Sequence, residues 1–183
     1  YWGRNYRWSE DGTQVAWALA DSVGLVDVES GDFQTLLSFP EYATALVSYW
    51  VWVPTLSWSP DGHLITTIHG APYGSESPED SIIFDTAVIN PASDLLIAPF
   101  LTRTGIWAIP TYSPPIEGVN GEAAYLLAYF QARDPLNSPN AQYDLWVADR
   151  DGSNARMLFP GPNRAGIRPD PEDGIAWSPS GGQ

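Results

Sequence analysis

Cysteine and lysine are both missing from this chain of 183 residues, which also holds just two histidines and one methionine. Without cysteine there is no disulfide framework, no thiolate metal site and no thiol nucleophile, while the redox compartment stays open. Every basic residue is an arginine, and eight of them stand against 22 acids, for a formal net charge of −14. Nucleic-acid binding draws most of its affinity from Lys and Arg neutralising phosphates. So few scattered cations supply no continuous basic stripe, which excludes nucleic acid and anionic membrane as partners. Long apolar runs are lacking too: the longest, 49–54, is far short of the roughly 20 residues that cross a bilayer. No 3.6-residue apolar stripe sets out a helix, and neither a Gly-x-Ser-x-Gly elbow nor a Gly-rich phosphate cradle occurs.

What the chain does have is nine tryptophans, 44% hydrophobic residues and a repeat. An aromatic-Ser signature recurs four times ahead of a turn: Trp8-Ser9-Glu10-Asp11-Gly12, Trp58-Ser59-Pro60-Asp61-Gly62, Tyr112-Ser113-Pro114-Pro115 and Trp177-Ser178-Pro179-Ser180-Gly181. Self-similarity of this kind marks an array of one supersecondary unit, and intervals of 50, 54 and 65 residues each hold one four-stranded blade of about 40 to 50 residues plus insertions. Behind each signature the β-prone apolar runs fall at 14–19, 24–28 and 33–39, then 63–68, 82–89 and 95–101, then 123–131, 143–148 and 156–159. With the strand that carries the signature, each unit reads as a four-stranded antiparallel meander. The predicted fold class is therefore all-β, a β-propeller of about three blades (5–39 with an insertion at 40–54, 55–103, 107–159) and the start of a fourth at 175–183, in one domain.

Trp58-Ser59-Pro60-Asp61-Gly62 ahead of an apolar strand, and the run from Asp144-Leu145-Trp146-Val147-Ala148 through Asp151-Gly152-Ser153-Asn154 to Leu158, resemble the repeats of bacterial TolB-type β-propellers. The likeness extends over nearly the whole chain. It departs at Tyr112-Ser113-Pro114-Pro115, which has no Asp-Gly pair, and at Ser180, where Asp is expected, so turn geometry is expected to differ in those blades. The resemblance implies a protein, peptide or glycan partner and a periplasmic, cell-envelope or extracellular location. Propellers similar to the gating domain of prolyl oligopeptidases supply the alternative, with a hydrolase elsewhere in the parent chain. Read from the residues alone, the signatures are structural: Asp-Gly favours a tight hairpin, Ser and Asp accept bonds from turn amides, and the Trp fills the wedge between blades.

A closed ring takes about 4 to 8 blades. The chain starts at Tyr1 without an initiator Met or a targeting segment and ends as a fourth signature opens, so the expectation is a longer parent, with closure by another chain as the alternative.

In a meander, the connections from strand two to three and from strand four to the next blade share one side. The long connections 39–54, 70–80, 102–110, 132–142 and 160–173 all fall there, and the tight ones at 61–62, 91–94 and 151–152 fall opposite. Long loops on one rim of a rigid scaffold are where binding residues gather. The candidates are Trp2, Trp50, Trp52 and Trp107, which precede innermost strands, with Arg133, Arg168 and, beside Gly70, His69. Flat rings rimmed by polar groups suit a peptide or glycan; the plainer alternative is that the rings pack the insertions onto the blade tops and the loop acids are solvated surface.

Chemistry has no positive signal. His63 and His69, six strand residues apart, stand roughly 20 Å from each other and cannot share a metal. The run Asp149–Asn154 lacks the remaining acids and the closing Glu of a calcium loop. Neither histidine sits in a spacing that marks a triad. No catalytic residue, metal or cofactor is assigned, and the expected role is a non-catalytic binding or scaffold propeller acting through its long-loop face, in some settings within a larger complex.

Overall fold

The computed structural model describes residues 5–42, 51–71, 74, 76–93, 95–117, 123–170 and 174–178. It is all-β, with 42% strand and 6% helix, the helix being two short 3-10 segments, Pro78–Asp80 and Pro135–Asn140. Three open four-stranded antiparallel sheets follow one another. Sheet one is β1 (Asn5–Trp8), β2 (Gln14–Ala18), β3 (Ser22–Asp27) and β4 (Phe33–Ser38). Sheet two is β5 (Leu56–Trp58), β6 (Leu64–His69), β7 (Phe84–Asn90) and β8 (Leu95–Ile97). Sheet three opens with β9 (Thr111–Tyr112), inserts a small hairpin of β10 (Ile116–Glu117) and β11 (Ala123–Ala124), and continues through β12 (Leu126–Ala132), β13 (Tyr143–Asp149) and β14 (Arg156–Phe159). Each sheet pairs its strands in sequence order, and β5 touches both β1 and β9. The first strands therefore lie side by side.

The signature serine explains why each repeat folds back where it does. Ser9, Ser59 and Ser113 each end a first strand, and each donates its main-chain N–H to the first residue or threshold of the second strand: to Gln14 O, His63 O and Leu126 O. In return the N–H groups of Gln14, His63 and Leu126 donate to the serine Oγ at 2.9, 2.8 and 2.9 Å. One side chain thus adds a second rung to the hairpin, a bond worth about 0.5–1.5 kcal/mol net. The clasp is indifferent to the length between its ends, which is why the third repeat can hold β10 and β11 there. Where Asp-Gly is present the turn differs from a two-residue hairpin centred on that pair. Gly12 and Gly62 donate to Ser9 O and Ser59 O, making them the fourth residue of the turn, and only the glycines carry positive φ, 72° and 80°.

Packing between sheets follows the pleat. We term upstream the face that bears the signature aromatic. In sheet two this face holds the cross-strand row Trp58, Leu64 and Ile89, which joins Ala16, Ala18, Val23 and Leu25 of sheet one in one core. In sheet three the matching row is Tyr112, Leu127 and Ala148, and it packs on Ile65 and Val88 of sheet two. The long connections start above this core, as the meander requires. Two connections break the length pattern: 19–21 is tight on the long side, and 113–125 is long on the opposite one.

Asp61 ties the second junction together from its turn. Its carboxylate accepts Ser59 Oγ at 2.5 Å, Tyr125 OH at 2.5 Å and His63 Nδ1 at 2.9 Å, with Arg150 Nη1 at 3.3 Å. Tyr125 and Arg150 belong to the third repeat, and the guanidinium lies 5.8 Å from the Tyr125 ring centre. Partial burial pushes the carboxyl upward, but the bonds from Ser59, Tyr125 and His63 outweigh it and hold Asp61 down at about 2. A folded value below the ordinary 3.8 means the stabilisation is complete above that pH and is lost as pH falls toward 2. With 37% of its side chain exposed, solvent screening keeps the effect modest. Asp61→Asn should therefore lose about 1 kcal/mol at neutral pH, and urea titrations of both proteins should converge as pH drops from about 4 to about 2. A gap that persists unchanged at the acid end would assign the effect to shape rather than charge.

Candidate functional site

The four signature aromatics, contributed by four separate repeats, line one cleft. Trp8, Trp58, Tyr112 and Trp177 share it with Pro60, Pro114 and Pro115, and Glu10 is its one carboxylate; its volume is about 400 Å³. A second cavity of about 290 Å³ shares Trp8 and Trp58 and is lined by Arg7, Thr55–Ser57, Ile109–Thr111 and Gly174–Ile175. Those are the first strands of the three sheets and the 174–178 segment, so the two cavities follow the line along which first strands meet. The residues of the cleft sit at the signature turns, the side opposite the long connections.

The rings are held by the backbone of the neighbouring repeat. Trp58 Nε1 donates to Arg7 O at 3.1 Å, and Trp177 Nε1 donates to Thr111 O at 3.3 Å. In both cases the acceptor is the residue just ahead of the preceding signature aromatic. At the junction where the aromatic is tyrosine, the bond is made instead by Tyr112 N–H to Ser57 Oγ at 3.2 Å. Tyr112 is 6% exposed. Tyr125 stands edge-on to it, ring centres 5.4 Å apart, and burial above all drives the Tyr112 hydroxyl well above its usual value. It stays a neutral donor at any physiological pH.

The polar side chains beside the cleft are not ordered as a serine triad. Ser59, Asp61 and His63 lie together, yet Asp61 sits between the other two: Ser59 Oγ donates to the carboxylate, and the His63 Nε2 faces Asn90 Nδ2 at 3.2 Å. A nucleophilic serine needs the imidazole between itself and the acid. Ser113 Oγ is spent on Pro114 O at 2.8 Å. Among the described residues no group of three or more His, Asp or Glu could hold a metal ion. What the cleft offers is flat apolar area with a few polar atoms at fixed positions.

Among the described residues, those singled out on the long-connection side are not assembled into one surface. Trp2 and Trp50 lie outside the described residues. Trp52 is 2% exposed, edge-on to Phe84 at 5.0 Å between ring centres, and its main-chain N–H donates to Tyr42 O. A ring so enclosed has no face to give a ligand. His69, also 2% exposed, has Nδ1 3.0 Å from Pro40 O and Nε2 2.6 Å from Ser81 O, so it sits between the start of one long connection and the end of another. Phe39, Tyr42, Trp52, His69 and Phe84 stack in one aromatic cluster under those connections. Trp107 is half-buried between two cores, and its main-chain N–H donates to Tyr143 OH. Arg133 makes a two-pronged bond to Asp144, at 3.0 and 2.6 Å, and donates to Arg164 O. Arg168 is exposed, as is Arg133. The aromatics that do meet at a cleft are those of the signatures, read from sequence as structural: each helps to seal a junction between sheets and also lines the cleft.

No protein-family model matches the chain, and no curated protein matches it.

Trp52→Ala should cost about 3–5 kcal/mol, the range for deleting a buried large aromatic, read as a lower urea midpoint with an unchanged slope. A loss under about 0.5 kcal/mol, ordinary for surface sites, would return Trp52 to the surface.

Proposed function

We propose that this chain is part of a TolB-type β-propeller and serves as a non-catalytic binding module, taking a peptide or glycan of the cell envelope or extracellular space into the aromatic cleft on its axis. The convergence of Trp8, Trp58, Tyr112 and Trp177 on one cleft carries the reading. Rigid rings give contact area at small entropic cost, and these rings are fixed in advance by the neighbouring backbone. The blade arrangement is supported by three sequential meanders whose first strands touch and line a common cavity. Net charge of −14 favours neutral or cationic ligands over anionic ones. Contact shifts in this reading from the long-connection side to the signature side, because that is where ring faces and open volume coincide.

A second reading draws on the continuation of the cleft into the deeper cavity: the axis acts as a passage that filters access to a hydrolase elsewhere in the parent protein. The two differ in whether anything stays bound.

Titration of intrinsic tryptophan fluorescence with proline-containing peptides and with neutral oligosaccharides separates them. Saturable binding by one class, weakened at least about 10-fold by Trp177→Ala, about 1.4 kcal/mol, with the circular dichroism spectrum unchanged, is the expected result. No saturation with any member of either set would end the binding reading in favour of passage.

A further inference from the structure

The junction between sheets one and two and the junction between sheets two and three are built from equivalent positions, but they are not equally filled. At the second, Asp61 divides its partners between its two oxygens: Oδ1 accepts from Ser59, His63 and Tyr125, and Oδ2 accepts the Arg150 guanidinium at 3.3 Å. Asp11 holds the same place in the first signature. Its Oδ1 likewise takes the signature serine, Ser9 Oγ at 2.7 Å, together with Thr13 N–H at 3.0 Å and Thr13 Oγ1 at 2.8 Å. Among the described residues nothing bonds to Asp11 Oδ2.

The repeat that faces Asp11 supplies the reason. Arg150 stands two residues past Ala148 in the upstream row of sheet three, and two residues past Ile89, the counterpart of Ala148 in sheet two, stands Pro91. Tyr125, just ahead of β12, has Gly62 as its counterpart ahead of His63. A guanidinium and a phenol at one junction are thus a proline and a glycine at the other, and there a cavity of about 500 Å³ opens against Asp11, Gly62 and Pro91. Glu10, Gln14 and Gln34 also line it, with side chains that bond to no described residue. Glu10, Trp58, Ser59 and Pro60 belong to this cavity and to the aromatic cleft alike. The two spaces therefore adjoin around the Trp58 ring.

We propose that this cavity is a subsite for an arginine side chain of a peptide held in the aromatic cleft, its guanidinium bonding Asp11 Oδ2 as Arg150 bonds Asp61 Oδ2. The proposal rests on the cleft reading for the body of the peptide and goes beyond it by naming the residue that lies beside the rings. A guanidinium presents five N–H donors in a planar fork, and the walls offer it two carboxylates and two amide oxygens as acceptors. Trp58 adds a ring next to the cation, an attraction strongest for indole. The Arg150 guanidinium has the same company one junction on, 5.8 Å from the Tyr125 ring centre.

Two kinds of ligand test the subsite. Capped Pro-Pro peptides carrying one arginine, at each of the three positions on either side of the pair, are compared by tryptophan fluorescence with the same peptides carrying citrulline, which keeps the shape and removes the charge. The best arginine peptide should bind about 3- to 10-fold more tightly than its citrulline counterpart, between the worth of an exposed ion pair and that of an enclosed bond to a charged group. That advantage should fall below about 2-fold in Asp11→Asn, and equally in Pro91→Arg, which keeps the carboxylate and places a built-in guanidinium in the cavity. N-acetylarginine amide alone should shift the NMR signals of the Trp58 indole and the Gln34 side-chain amide in the unaltered protein, and leave those of Pro91→Arg in place. Arginine and citrulline peptides that saturate alike would overturn the subsite and leave the cleft reading standing. Peptides that fail to bind, with N-acetylarginine amide still shifting those two signals, would end the cleft reading and uphold the subsite. An arginine advantage that persists in Pro91→Arg, or the absence of both the advantage and the shifts, would overturn the proposal.

Discussion

The seating of one aromatic ring per junction is the constraint on which the arrangement of sheets depends. A buried tryptophan removes roughly 150–250 Å² from water, worth about 4–6 kcal/mol as an upper figure at 25 cal/mol per Å². The indole-to-carbonyl bond adds only about 1 kcal/mol. Burial therefore supplies the adhesion between sheets, and the bond supplies the register. Trp58 reaching Arg7 O fixes which residue of β1 lies beside which residue of β5, a selection that apolar contact alone does not make.

The middle junction tests that division of labour, because its ring is a tyrosine. Tyr112 has no ring N–H to offer, and register passes to its main-chain N–H and Ser57 Oγ. A smaller ring also leaves space, which Tyr125 fills edge-on. The position of Tyr125, just ahead of β12, is the one occupied by Gly62 ahead of His63 and β6, so a side chain is possible only because the inserted hairpin has replaced the glycine turn. Its hydroxyl then lands on Asp61, and Arg150 completes the link from the β13–β14 hairpin. Loss of the Asp-Gly turn in one repeat and the polar bridge to the Asp of the repeat before it are one structural event.

Much of this was legible in the chain, and the limits have physical causes. Meanders, sheet count and nearly all strand positions followed from alternation and turn chemistry, because those are local signals. The serine was correctly tied to turn amides, since Oγ geometry depends on near neighbours. By contrast, Trp52 and His69 precede or end strands in the same way that cleft residues do, and only the path of 39–42 and 81–84 across them decides that they are enclosed. Ring direction at a strand end is a tertiary property. The cleft is not legible in the sequence for the same reason: three sheets and the 174–178 segment must be packed together before four signatures can meet.

Acidity, the most conspicuous feature of the composition, resolves partly into turn making. Asp11 accepts from Thr13 N–H, Asp27 from the N–H groups of Ser30 and Glu29, and Asp151 from Ser153 N–H. Backbone bonds from Thr13 and Ser30 are the chief influence lowering the Asp11 and Asp27 carboxyls, and a bond from Ser153 does so for Asp151. A carboxylate performs this task better than an amide because the bond to a charged acceptor is the stronger. Hairpin tips point away from the cores, so the charges collect at the periphery, where repulsion is screened within about 8–10 Å. Of the ion pairs among the described residues, Arg133 with Asp144 fixes a loop and Arg150 with Asp61 spans a junction. A repeat that spends its acids at turns keeps its sheet faces apolar, and apolar faces are what allow one sheet to stack upon the next.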